Sequence, residues 1–289
     1  MNAATQYRSL AVQEKSILLT LLYFDIFHYP LTEKEILKFL PSVLTGSLCE
    51  SLSALTQQKC IFELNGFYSL RQDPALISRR CAGNSLAEDK MRTAQKFSAL
   101  IAGFPFVRSV MLSGSISKGY MDASSDIDYF IITEKGRLWL VRTAMALFRR
   151  VFLFNSRKYF CTNYFIDCEH LEIEEKNIFT AIETSTLKPM FGRKYVYRFQ
   201  AANQWYHQFL PNHQHENGLG DESESFIKRV SEKLLSSKVF DSLEQWLRSK
   251  FVNHWRKNYQ HALTGKDFSI AFESTEHVSR SHPGFYQKR

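Results

Sequence analysis

The chain has no Cys-x-x-Cys pair, its five cysteines (Cys49, Cys60, Cys81, Cys161 and Cys168) are scattered, and none has a His pair at zinc-finger spacing nearby. An odd, dispersed set excludes a disulfide framework and a knotted zinc module, and it predicts reduced thiols in a cytoplasmic protein. A basic-then-apolar leader is missing at the N-terminus. Long apolar runs are missing too. The most apolar early stretch, Ile17–Phe27, is far too short to span a bilayer and carries Asp25, so no membrane partner is expected. No run of Lys or Arg concentrates the net charge of +8. A basic surface suits polyanions such as nucleotide phosphates or nucleic acid, but here the charge singles out none of them.

Apolar residues are plentiful. They make up 44% of the 289 residues, with 24 Phe, which excludes wholesale disorder and provides for two or three modules with their own cores. The first 80 residues predict a small helical unit with a wing. Ile17, Leu18, Leu21, Leu22 and Phe24 recur at helical spacing over 12–24. Thr32-x-x-Glu35 forms a capping box ahead of Ile36, Leu37, Phe39 and Leu40, with Pro41 as the stop. Residues 47–58 give a third helix with Leu48, Leu52 and Leu55 on one face. Two short alternating runs, 61–64 and 67–70, flank Asn65-Gly66, which is a hairpin signal. Three helices and a hairpin make a winged helix-turn-helix. Its third helix offers one cation, Lys59 at its end, and carries Glu50. Reading DNA normally takes several Arg or Lys residues, so structural or protein-docking use is favoured over DNA binding.

From residue 81 to 185 the order is helix (85–102), strand (107–112), turn, strand (127–133), helix (138–154) and strand (158–166), which predicts an α+β core. After about residue 175 the chain reads as mostly helical, with helices expected over 176–185, 197–209, 223–236 and 240–263. Residues 213–225 read as a polar linker, and 186–264 as a helical C-terminal domain. The stretch from 265 to 289 is polar and aperiodic and is expected to be mobile unless a partner or the site orders it. In the helix over 197–209, the aromatics around Trp205 are read as packing. His254 and His261 lie seven apart on one helix face, without the carboxylates or cysteines that would make them metal ligands.

The segment richest in chemistry runs from Val110 to Ile132. A strand leads into Gly114-Ser115, a short turn follows with Lys118-Gly119, and a second strand bears Asp126-Ile127-Asp128. A glycine at 114 lets the backbone approach a phosphate where a Cβ would block it. The Ser115 hydroxyl and N–H groups at a helix start can bind phosphate oxygens. Two carboxylates two residues apart on a strand share a face and repel unless a cation lies between them. Mg²⁺, with Mn²⁺ as a substitute, is the ion expected there, because it prefers carboxylate, water and phosphate oxygens.

Gly-Ser-x-x-Lys-Gly followed by Ser-Asp-Ile-Asp resembles the signature of the polymerase-β-type nucleotidyltransferase superfamily. The resemblance covers roughly residues 85–185. It implies a small mixed sheet flanked by helices and transfer of a nucleoside monophosphate from an NTP to an acceptor, which here is unknown and open to a small molecule, RNA or protein. It assigns Asp126 and Asp128 to catalysis and metal binding, and Gly114, Ser115, Lys118, Gly119 and Arg142 to the nucleotide, with Arg137 as a further candidate cation. The family pattern also expects a third carboxylate on the next strand. That strand holds Asn163, which is assigned the third catalytic position but carries no charge and is a weak base. Asp167 is two pleats further along the same face, ~13 Å away at strand rise. The alternative reading is an NTP-binding regulator that has lost its chemistry and uses the winged helix as its output.

Overall fold

The computed structural model describes residues 10–214, 226–235, 239–259 and 272–281. Helices and strands are mixed along the chain, and the strands form two sheets. No helix among the described residues is long and apolar enough to cross a membrane.

The N-terminal unit contains α1 (Val12–Asp25), β1 (Leu31–Thr32), α2 (Glu33–Phe39), α3 (Leu48–Gln57), β2 (Phe62–Leu64) and β3 (Phe67–Ser69). The capping box forms as its sequence dictates. Thr32 Oγ1 accepts from Glu35 N–H, and Glu35 Oε2 accepts from Thr32 N–H at 2.9 Å. β2 and β3 pair around Asn65–Gly66, and β1 adds to β3 as a third antiparallel strand. Ile17, Leu21, Phe24, Leu31, Ile36, Leu52 and Leu55 form the buried interior of this unit.

A single helix, α4 (Pro74–Ala102), then leads into the core. It starts eleven residues before the expected position, because Asp73 caps it and Pro74 occupies its first turn, where a missing N–H costs nothing. It therefore crosses the boundary expected at residues 80–81. Gly83 is needed within it because a Cβ there would lie 2.1 Å from the Tyr120 ring.

The core continues with β4 (Val107–Ser113), α5 (Gly114–Ser117), β5 (Asp128–Thr133), α6 (Leu138–Phe152), β6 (Cys161–Asp167) and α7 (Ile178–Ser185). Next come β7 (Lys188–Phe191), α8 (Arg193–Ala202), a 3-10 turn over Gln204–Gln208, α9 (Phe226–Leu235), α10 (Val239–Tyr259), β8 (Phe272–Ser274) and β9 (Val278–Ser281). The six-stranded sheet has the order β7-β4-β5-β6-β9-β8, with only β5 and β6 parallel. One face, through Met111, Phe130, Ile132 and Ile166, shares a continuous apolar cluster with the N-terminal unit. Val110, Leu112, Tyr129 and Phe165 of the other face pack with residues of α4, α6 and α10.

Two expectations about the C-terminal part change. Residues 188–191, within the stretch read as helical, are a strand. Pro189 is tolerated there because β7 lies at the sheet edge, where no N–H is required on its outer side. Residues 272–281, within the tail read as aperiodic, form a β-hairpin that extends the sheet from β6. Tyr164 pairs with Arg280, Phe165 with Ser279 and Ile166 with Val278. Its polar look follows from Arg280, which meets Glu175 and Glu273. The rest of that tail, most of the 213–225 linker and His261 lie outside the described residues. Trp205 and Tyr206 are buried, as expected of packing aromatics.

Candidate functional site

β4 ends at Ser113, which pairs across to Asp128, the first residue of β5; Asp128 in turn pairs with Cys161 on β6. The three central strands thus bring the Gly-Ser turn, the second aspartate and the start of β6 together at one end of the sheet. Gly114 has φ +67°, and a Cβ on it would lie 2.7 Å from Asp128 Oδ2. The glycine is therefore required twice, by its left-handed backbone and by the approach of the carboxylate. α5 is a single turn, so any anion held here rests on individual N–H groups and the Ser115 hydroxyl rather than on a long helix dipole. Gly119 closes the turn with φ +72°.

Asp126 lies just before the strand instead of within it. The next residue, Ile127, donates its N–H to Lys158 O and accepts from Cys161 N–H. Asp128 Oδ1 accepts from Asn163 Nδ2 at 2.6 Å. Burial pushes the Asp128 carboxyl up to about 7, helped by the nearby charges of Asp126 and Glu183 and opposed by the Cys161 thiol and Lys118. The Cys161 thiol donates to Asn163 Oδ1 at 3.2 Å, and its own ionisation is pushed far up by burial, so it is no nucleophile. Burial and the nearby charges of Asp126 and Glu183 thus both act against the charged form of Asp128; among the described residues, the His, Cys, Asp and Glu side chains that come close enough together to share a metal ion are those of Asp167, His170 and His277.

Lys118 is at the site but engaged. Its Nζ donates to Glu183 Oε1 at 2.8 Å and to Gly114 O at 3.1 Å. Glu183, from α7, carries no sequence signal that links it to the loop 65 residues earlier. Gly114, Ser115, Lys118, Asp128 and Glu183 line one cavity of about 380 Å³. The N-terminal unit supplies another wall through Tyr23, Phe24, Phe27 and Tyr29. Tyr29 also donates its hydroxyl to Lys118 O at 3.2 Å and packs edge-on against Tyr120 at 5.4 Å. Arg80, buried at 4% exposure, holds this junction. It bonds Glu35 at 2.6 Å and Pro30 O at 3.0 Å, with its guanidinium 3.8 Å from the Tyr29 ring centroid. Arg79 pairs with Asp122 at 2.8 Å, and that contact holds the Asp122 carboxyl below its ordinary value.

Gly119, Asp126 and Asn163 are not among the residues lining the cavity, and the two candidate arginines are held elsewhere. Arg142 is buried, with its guanidinium 4.9 Å from the Phe165 ring centroid and 5.0 Å from that of Trp255, and it donates to Ser279 O. Burial lowers its ionisation to about 9. Its place at the start of α6 looked suited to phosphate, but the C-terminal helix and hairpin enclose it. Arg137 pairs with Asp241 at 2.7 Å. Asp167 is fully buried at the far end of β6, where it binds His170 and His277, so it does not stand in for the third carboxylate. His254 bonds its helix neighbour Asn258.

No protein-family model, curated protein or solved structure matches the chain.

Proposed function

We propose that the chain is a Mg²⁺-dependent nucleotidyltransferase that moves a nucleoside monophosphate from an NTP to an acceptor hydroxyl. The observation supporting this most directly is the glycine turn at 114 pressed against Asp128, both in the lining of one cavity, with the charge of Asp126 near Asp128. In this reading Gly114, Ser115 and Gly119 receive the phosphates. Asp126 and Asp128 would hold Mg²⁺ or Mn²⁺, which would supply charge neutralisation for the triphosphate and for the pyrophosphate that leaves the α-phosphorus. Asn163 orients Asp128 through its amide and takes no proton. Glu183 is a carboxylate of the cavity whose charge is felt at Asp128, whereas Asp122, also in the lining, is held by Arg79. Lys118 turns from Glu183 to the phosphates when they arrive, which frees Glu183 to accept the proton of the acceptor hydroxyl. The N-terminal unit is read as winged-helix-like.

Incubation with labelled NTPs, Mg²⁺ and separate RNA, protein and metabolite fractions tests this. Label should appear in one fraction and be lost with Glu183→Gln. A second reading, an NTP-binding regulator without chemistry, is favoured by the uncharged Asn163 donating to Asp128. Mg²⁺-NTP binding with no transfer into any fraction would select that reading, and absence of NTP binding would remove both.

A further inference from the structure

We infer that the cavity beside the glycine turn is a receptor for a flat, uncharged ring, and that α1 of the N-terminal unit is its specificity wall. The inference rests on the transferase reading for the phosphate end of the cavity and adds what lies at its other end. Two aromatic side chains enter from α1 (Tyr23 and Phe24), one from the turn that follows it (Phe27) and three from the core (Phe130, Tyr164 and Phe179). Phe130 and Tyr164 stack on each other, with ring centroids 4.7 Å apart and planes within 16°, so the lining includes a rigid aromatic pair. Offset-stacked and edge-to-face contacts with such faces favour a ring over a branched or flexible chain.

Apart from Asp128 at the glycine turn, the charged side chains lining the cavity are paired. Arg79 meets Asp122, Lys118 meets Glu183, and Arg280 meets Glu175 and Glu273. The interior therefore offers nothing to a second polyanion, and the triphosphate stays at the Gly114–Ser115 end. A volume of about 380 Å³ suits one small molecule or one ring system, not a helix or a nucleic-acid strand. The N-terminal unit is fixed in place for this role, because Tyr29 bonds the phosphate loop at Lys118 O and Arg80 clamps Pro30 and Glu35. A ring of this kind has two sources, the base of the donor nucleotide or the body of the acceptor.

Saturation-transfer NMR on the 289-residue chain separates them. The probes are the four nucleosides and a set of neutral phenols and benzyl alcohols, none phosphorylated, with Mg²⁺-tripolyphosphate as the phosphate-only probe. Ring protons of one class should receive saturation, and Tyr23→Ala and Phe27→Ala should each weaken that binding at least tenfold while leaving tripolyphosphate affinity unchanged. Binding of nucleosides assigns the ring to the donor, and binding of the phenols or benzyl alcohols assigns it to the acceptor. Phe27→Leu removes the flat face but keeps apolar volume, so weakened ring binding with an unchanged melting temperature separates recognition from folding. The inference is overturned if no ring compound binds at millimolar concentration, or if binding survives all three substitutions. Ring binding without tripolyphosphate binding would leave this inference standing and remove the transferase reading.

Discussion

Asp128 and Asp167 lie on neighbouring parallel strands and have opposite surroundings. Asp167, at the end of β6, is fully buried and has its donors in place. Oδ1 accepts from the N–H groups of Glu169 and His170, at 2.9 and 3.0 Å, and meets His170 Nδ1 at 2.9 Å; Oδ2 meets His277 Nδ1 at 2.6 Å. Burial alone would raise its ionisation, but these partners outweigh burial and hold it below the ordinary value. Asp128, at the start of β5, has Asn163 as its amide partner and shares its surroundings with Asp126 and Glu183, and its carboxyl rises to about 7. Asp167 is satisfied by donors from within the fold, whereas Asp128 is buried beside charges of its own sign.

The largest effect that would break this comparison is chemical. Asp128→Asn removes the ligand but keeps the shape, and label transfer should fall by at least about 10³-fold, the scale of losing metal-centred charge stabilisation. A variant within tenfold of wild type would show that Asp128 does not hold the ion.

Next come the stabilities, where the two aspartates should give opposite signs. Asp167→Asn leaves buried donors unpaired and should cost roughly 3 kcal/mol near neutral pH. A calorimetric scan would show that as a melting temperature lower by roughly 8 °C for a domain of this size. Because the folded-state ionisation of Asp167 is depressed, its contribution is present above the ordinary carboxylate value and lost as pH falls through the folded one. The gap between variant and wild type should therefore close in acid.

For Asp128 the folded-state ionisation is raised, so its contribution is complete below about pH 4 and lost as pH rises through about 7. In the absence of Mg²⁺, Asp128→Asn should match wild type near pH 4. At pH 8 it should be more stable by up to about 4 kcal/mol, the scale of a rise from the ordinary carboxylate value to about 7. A variant less stable than wild type at pH 8 would mean that Asp128 is a structural carboxylate after all.

The sequence showed some of this contrast and hid the rest for physical reasons. The Thr32–Glu35 capping box, the Asn65–Gly66 hairpin and the run from Gly114 to Asp128 are local, and local chemistry can be read from adjacent residues. β7 was hidden because Pro189 reads as a break, and an edge strand tolerates it. The β8–β9 hairpin was hidden because its order comes from β6, more than a hundred residues earlier, and from Asp167 holding His277. The cavity could not be read at all, since Phe27, Phe130 and Phe179 become neighbours only when α1 packs over the sheet. Phe at helical or strand spacing announces a core, and nothing in its spacing tells a filled core from a lined pocket.

Arg142 gives the smallest expected effect and the sharpest test of how far a charge can be read from its position. A cation at the start of the helix after the Asp-x-Asp strand suggests a phosphate ligand, but the guanidinium is enclosed by Phe165, Phe251 and Trp255, with its ionisation lowered to about 9 by burial. Replacing a buried charge by an apolar side chain of similar volume is often neutral for stability. Arg142→Met should therefore leave Mg²⁺-tripolyphosphate affinity, read by calorimetry, within about twofold of wild type, a change under about 0.5 kcal/mol. The bond to Ser279 O is lost in the same variant, so any loss of stability should appear as loosening of the β8–β9 hairpin in hydrogen exchange and leave phosphate binding alone. A tenfold loss of tripolyphosphate affinity at an unchanged melting temperature would return Arg142 to the nucleotide and contradict its place beneath the sheet.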